Sequence, residues 1–192
     1  MIRRLYDWTL RMAEHPRALW VLAVVAFAES SFFPIPPDIL MIPMILARPS
    51  RAFVIAGVAL VSSVLGGLFG YLIGFAFYET LGQPILAALG KADAAEAFNT
   101  RFNDFGFWAV LIAGMTPFPY KVITIMSGWT GMPLATFVVT SIIARGLRFY
   151  IIAALLWKFG APVQEFIEKR LGLVFTGLVI LLVGGFYAVR YL

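Results

Sequence analysis

The sequence contains no cysteine and one histidine, His15. Disulfide staples, thiolate metal sites and cysteine nucleophiles are excluded, and a solitary histidine does not make a metal site. Charge is scarce too. Only 13% of the 192 residues are charged, about half the usual share of a soluble domain. In their place, 61% of residues are hydrophobic and the mean hydropathy is +0.91. The net charge of +5 comes from scattered residues. No basic patch interleaved with aromatics is present, so nucleic acid is not an expected partner.

Several apolar runs reach the roughly 20 residues that a helix needs to cross a bilayer. The alternating pattern of a membrane barrel is missing. The chain therefore reads as an all-α polytopic membrane protein, a single membrane domain over residues 1–192. Residues 1–17 carry Arg3, Arg4, Arg11 and Arg17 among Leu5, Trp8, Leu10 and Met12. That spacing predicts an interfacial amphipathic helix on the cytoplasmic side. Ala26-Phe27-Ala28 matches an A-x-A cleavage pattern, but the long leader with Asp7 and Glu14 argues against removal.

Residues 18–33 are apolar and stop at "PIPP", and 39–47 form a second short apolar arm. Pro34, Pro36 and Pro37 break the helix by removing N–H donors and clashing with the preceding turn. Two short arms around a break predict a re-entrant hairpin, tolerated at depth only when buried in protein or lining a cavity. A long uncharged segment, 52–78, follows. Its Ser62, Gly66, Gly70 and Gly74 recur every four residues, a stripe for close helix packing. Residues 79–104 are the most polar stretch and predict an external loop, with Gln83-Pro84 marking a turn.

The pattern then recurs. Residues 105–117 stop at "TPFPYK", broken by Pro117 and Pro119, and 122–131 form the second arm. Residues 134–157 are a second spanning segment, and a C-terminal transmembrane helix is predicted over 171–190. The organisation is thus repeat 1 at 18–78 and repeat 2 at 105–158. Arg48 and Arg51 share a side with the basic N-terminus, and Lys158, Lys169 and Arg170 return to it. The 79–104 segment holds two basic and four acidic residues. The positive-inside rule then gives the repeats opposite topologies, with the N-terminus cytoplasmic. Inverted repeats with broken helices are a common transporter architecture.

Five ionisable residues interrupt the apolar segments: Glu29, Asp38, Lys121, Arg145 and Arg148. A charge at the centre of a transmembrane helix costs roughly 2.5–3.5 kcal/mol on insertion scales. The acids lie in the first repeat and the bases in the second, so meeting hairpin tips would bring opposite charges together. Such residues serve either as ion pairs locking the repeats or as a polar site for an anionic headgroup. Carboxylates away from water can exchange protons near neutral pH, which suits proton coupling. By this reading Lys121 and Arg145 are the leading ligands, while Arg148 snorkels or pairs.

The motifs "ESSFFPIPPD", "SVLGGLFGYLIG", "MTPFPYKVITIMSGWTGMP" and "ARGLRFY" together resemble the DedA family of VTT, or SNARE-associated, domain proteins, and its short YqaA-like branch. The resemblance covers roughly residues 18–160. It implies an inner-membrane protein of bacteria with two facing re-entrant hairpins. It also implies movement of phospholipids or undecaprenyl phosphate that depends on the proton-motive force, as eukaryotic relatives scramble lipids. Glu29 matches the family's acid in the first hairpin, and Asp38 the acid after its turn. Many members carry two arginines where this sequence has Met115 and Lys121. Arg145 or Arg148 is left to supply the missing charge.

The expected function is therefore a lipid transporter or flippase, with lipids and protons as partners and no cofactor or metal. A second reading is a structural or assembly protein for the envelope, whose glycine stripe docks a partner or a second copy. An intramembrane lipid-modifying enzyme has least support. No G-x-S-x-G elbow exists and no histidine lies near Lys121, so the chain is not expected to be an enzyme.

Overall fold

The computed structural model describes residues 17–33, 35–116 and 118–160. Pro34, Pro117, the expected helix over 171–190 and all but Arg17 of the expected amphipathic segment lie outside them. Every regular element among the described residues is helical.

Helix α1 (Ala18–Ser31) ends where Phe32 and Phe33 both donate their N–H groups to the Ala28 carbonyl, at 2.9 and 2.8 Å. Helix α2 (Asp38–Ala47) restarts directly after Pro36-Pro37. Proline suits a helix start, because the N–H it lacks has no partner there. The Pro37 carbonyl instead accepts from Leu40 and Met41, at 3.0 and 2.9 Å. A short 3-10 turn, Pro49–Arg51, leads into α3 (Ala52–Phe77). Helix α3 passes through a π-helical turn, Tyr78–Gly82, into α4 (Gln83–Ala88). Then come α5 (Ala92–Asp104), α6 (Gly106–Met115), α7 (Tyr120–Trp129) and α8 (Leu134–Gly160).

Two helical runs are long and apolar enough to cross a membrane. Pro49–Ala88 has 40 residues and Leu134–Gly160 has 27, so they extend roughly 60 and 40 Å. The expected loop over 79–104 is instead mostly helical. Gln83-Pro84 opens a helix rather than a turn, because Pro84 sits in the first turn of α4 where a missing N–H loses little. Alanines at 87, 88, 92, 94, 95 and 97 favour helix on either side of the real break. That break is Gly90, with φ of 63°. It lets Lys91 and Gly90 donate back to Leu86 and Ala87, at 2.9 and 3.0 Å, the left-handed helix stop that glycine adopts without strain.

Helix α3 is the spine, packed against α1 and α7. One apolar cluster joins Leu22, Met41, Ile45, Ile55, Ala56, Phe149 and Leu156. Another joins Tyr71, Val110, Tyr120, Met132 and Phe137. Between them, along α3 and α8, lie Ser63, Ser141 and Arg145, all buried. The outward faces are the opposite: Val61, Leu65 and Leu72 on α3, and Val139, Ile143 and Leu147 on α8, are exposed. Hydroxyl and charged groups inside this layer, with large apolar groups facing outward, is the arrangement that lipid favours over water. A shallow apolar groove of about 450 Å³ lies on the outer surface between Phe53 and Tyr150, lined by none of the ion-paired residues.

Candidate functional site

Both proline breaks converge on the middle of α8. Glu29, near the end of α1, meets Arg145: Nη2 donates to Oε2 at 2.6 Å, with side-chain exposures of 1% for Arg145 and 12% for Glu29. Asp38 is the first residue of α2 and meets Arg148 at 2.5 Å through Oδ2 and Nη2. Arg148 also donates from Nη1 to the Thr116 carbonyl at 2.7 Å. It thereby joins the start of α2 to the end of α6. The i, i+3 spacing of the arginines puts both on one face of α8.

Arg145 is held on every side. Its guanidinium carbon lies 4.7 Å from the ring centres of both Tyr120 and Phe149, two cation–π contacts away from water. Tyr120 donates its hydroxyl to Ser141 at 2.5 Å. Arg145 Nε donates to Ser63 Oγ at 2.7 Å. Ser63 Oγ lies 2.7 Å from Ser30 Oγ, and Ser30 donates to Glu29 Oε2 at 3.1 Å. Losing one partner of such a buried pair leaves an uncompensated charge, which costs about 3–5 kcal/mol. Asp38 is less complete, since its Oδ1 is buried with no hydrogen bond from the described residues.

Lys121 is the second residue of α7 and meets neither carboxylate. Its Nζ reaches the Phe32 carbonyl at 3.4 Å, a long contact between the two breaks. Thr124 on α7 strengthens the same junction by donating to the Ser30 carbonyl at 2.9 Å. Of the expected break residues, Pro36 and Pro37 separate α1 from α2 and Pro119 directly precedes α7.

Glycines permit this convergence. A Cβ on Gly66 would strike the Phe27 carbonyl, and one on Gly74 the Ile125 carbonyl. On Gly70 it would lie 3.1 Å from the Ser30 carbonyl. The facing Gly128 of α7 is pressed in the same way against the Tyr71 carbonyl. Ser62, the fourth member of the expected stripe, is only half-buried, whereas Ser63 is fully buried. The reason is helical geometry. A period of four residues drifts by about 40° per repeat, because 3.6 residues complete a turn. Ser62 therefore falls at the edge of the face that Gly66, Gly70 and Gly74 define, and Ser63 falls near its centre.

The expected leading ligands, Lys121 and Arg145, thus separate: Arg145 is paired and enclosed, and Lys121 has no carboxylate partner among the described residues. Residue patterns did not single out Ser30, Ser63, Tyr120, Thr124 or Ser141. The available signal was hydroxyl groups inside apolar spans, where they seek partners across helices.

Comparison with known proteins gives the family. The VTT domain family model matches residues 35–158. An uncharacterised protein of Haemophilus influenzae is 36% identical over 168 residues, covering 85% of this chain and 87% of that one. An uncharacterised protein of Histophilus somni is 35% identical, with the same coverage of each chain. No solved structure is a significant match. With its family match and its two long apolar helices, this is a membrane protein. The chain belongs to the VTT domain, or DedA, family.

Proposed function

We propose that this chain transports a lipid with an anionic headgroup, a phospholipid or polyprenyl phosphate, across the bacterial inner membrane with proton coupling. The observation that carries the reading is a pair of ion pairs enclosed between two apolar clusters. Both acids of these pairs come from the first half of the chain and both bases from the second. Charges placed so expensively inside apolar helices are better suited to a moving charge than to stability, which packed apolar residues supply at lower cost.

In this reading α1, α2 and α3 form one unit, and α6, α7 and α8 form its inverted counterpart. Each broken pair is a re-entrant hairpin, and the N-terminus is cytoplasmic. Lys121 makes first contact with the headgroup, since it meets no carboxylate among the described residues. A proton on Glu29 or Asp38 weakens the pair and releases its arginine toward the phosphate. Loss of that proton restores the pair and expels the headgroup. No step forms or breaks a covalent bond of the lipid, so the chain acts as a carrier rather than an enzyme.

A second reading is favoured by the completeness of the Glu29–Arg145 pair: the charges serve only as a lock between the halves. A flip assay in proteoliposomes, run against a panel of headgroups, separates the two. Transport predicts loss of translocation in Glu29→Ala and Arg145→Ala with the fold retained. Normal translocation by both would end the transport reading. The swap of Glu29→Lys with Arg145→Glu restores a mere lock, but it does not restore coupling.

A further inference from the structure

The direct contact between Arg145 and Glu29 is one side of a closed ring. The other side runs through two hydroxyls, from Arg145 Nε to Ser63, to Ser30 and back to Glu29 Oε2. Ser63 comes from α3, and Ser30 from α1. Both are fully buried. We propose that Ser63 and Ser30 are positioning residues for this pair, a directional hydroxyl relay that keeps Arg145 in register with Glu29. The assignment rests on the transport reading for its purpose, but its geometry stands apart from it.

The direction follows from donor inventory. A guanidinium has only donors and an ionised carboxylate only acceptors. Arg145 Nε–H therefore points at Ser63. Ser30 spends its one hydrogen on Glu29, so the hydrogen between the serines comes from Ser63. Each hydroxyl accepts once and donates once within the ring. Glu29 Oε2 then accepts from two donors, Arg145 Nη2 and Ser30. A proton arriving at the carboxylate goes to Oε1, away from the relay. The direct contact weakens on protonation, while the Nε–Ser63 bond survives. Arg145 is thus anchored by Nε, with its guanidinium carbon against the Tyr120 and Phe149 rings, while Nη2 is left to take another acceptor. Without the relay, the guanidinium loses its anchor at the moment it must release Glu29.

The test uses the full-length protein in lipid nanodiscs, labelled with ¹⁵N-arginine. Arg145→Lys identifies the Arg145 Nε–H resonance. In Ser63→Ala that resonance moves and its solvent exchange accelerates about tenfold or more, the equivalent of one hydrogen bond to a charged group. Ser63→Thr, which keeps the hydroxyl, restores both, and Ser62→Ala changes neither. Ser30→Ala breaks the relay at its other end and serves where Ser63→Ala does not fold. An Arg145 Nε–H signal unchanged by both alanine variants overturns the proposal, as does a threonine variant that behaves like alanine. In proteoliposomes, translocation falls about tenfold in Ser63→Ala and recovers in Ser63→Thr. A wild-type protein that moves no lipid refutes transport and leaves the resonance test standing.

Discussion

Replacing Gly66 by alanine adds one methyl group at the tightest point between α1 and α3. The new Cβ would overlap the Phe27 carbonyl oxygen and lie 2.7 Å from both the carbonyl carbon and Cα. All three are backbone atoms, so no side chain can rotate away. Helices α1 and α3 must move apart by about 1 Å to restore ordinary contact, and such a gap forfeits a quarter to a half of each dispersion well. Each atom pair is worth only about 0.1–0.2 kcal/mol, but the whole α1–α3 seam is affected. The sum is about 1–3 kcal/mol, the range seen for overpacked interiors. Gly57 supplies the control on the same helix. Its Cβ would meet only the Tyr150 hydroxyl, at 3.3 Å, the movable end of a side chain. Both substitutions gain about 1 kcal/mol of helix propensity, so their difference isolates the backbone clash. Unfolding equilibria in bicelles should place Gly66→Ala about 2 kcal/mol below Gly57→Ala. Equal stability of the two variants would refute the close approach of α1 and α3.

Other consequences follow from the ion-paired layer. Arg148→Met removes the link between Asp38 and Thr116 and should cost about 3–5 kcal/mol, since it strands the Asp38 carboxylate. The double variant Arg148→Met with Asp38→Leu should recover at least half of that, measured by chemical unfolding; no recovery would mean that the pair is not the source. Tyr120→Phe keeps the cation–π contact but loses the hydrogen bond to Ser141, for about 1 kcal/mol. Tyr120→Leu also loses the ring beneath Arg145 and should cost up to about 2 kcal/mol more. Identical melting curves for these two variants would deny the ring a part.

Much of this architecture was legible in the residues. Apolar runs ended by prolines located α1, α2, α6, α7 and α8 to within a few residues, because helix breaks depend on local backbone chemistry. Four of the five charges in apolar surroundings located the ion-paired layer, because their cost in lipid does not depend on tertiary detail. The partner choice was not legible. Which carboxylate meets Arg145 depends on the rotation of α1 and α8 about their axes, and i, i+3 spacing fixes only a shared face. For the same reason Ser62 stood in for Ser63: a four-residue count approximates a 3.6-residue turn over one step and fails over three. The 79–104 segment was misread because polarity was taken as irregularity. Its alanines and the first-turn position of Pro84 are helix signals that owe nothing to burial.

Proton-coupled lipid movement is tested most directly by the translocation of an anionic phospholipid in proteoliposomes under an imposed pH gradient. Wild type and the double variant Glu29→Gln with Asp38→Asn, which keeps both side-chain shapes but cannot ionise at either position, are compared side by side. The account predicts that the gradient accelerates wild-type translocation and has no effect on the double variant. A gradient response that survives in the double variant, or a wild type indifferent to the gradient, would contradict it.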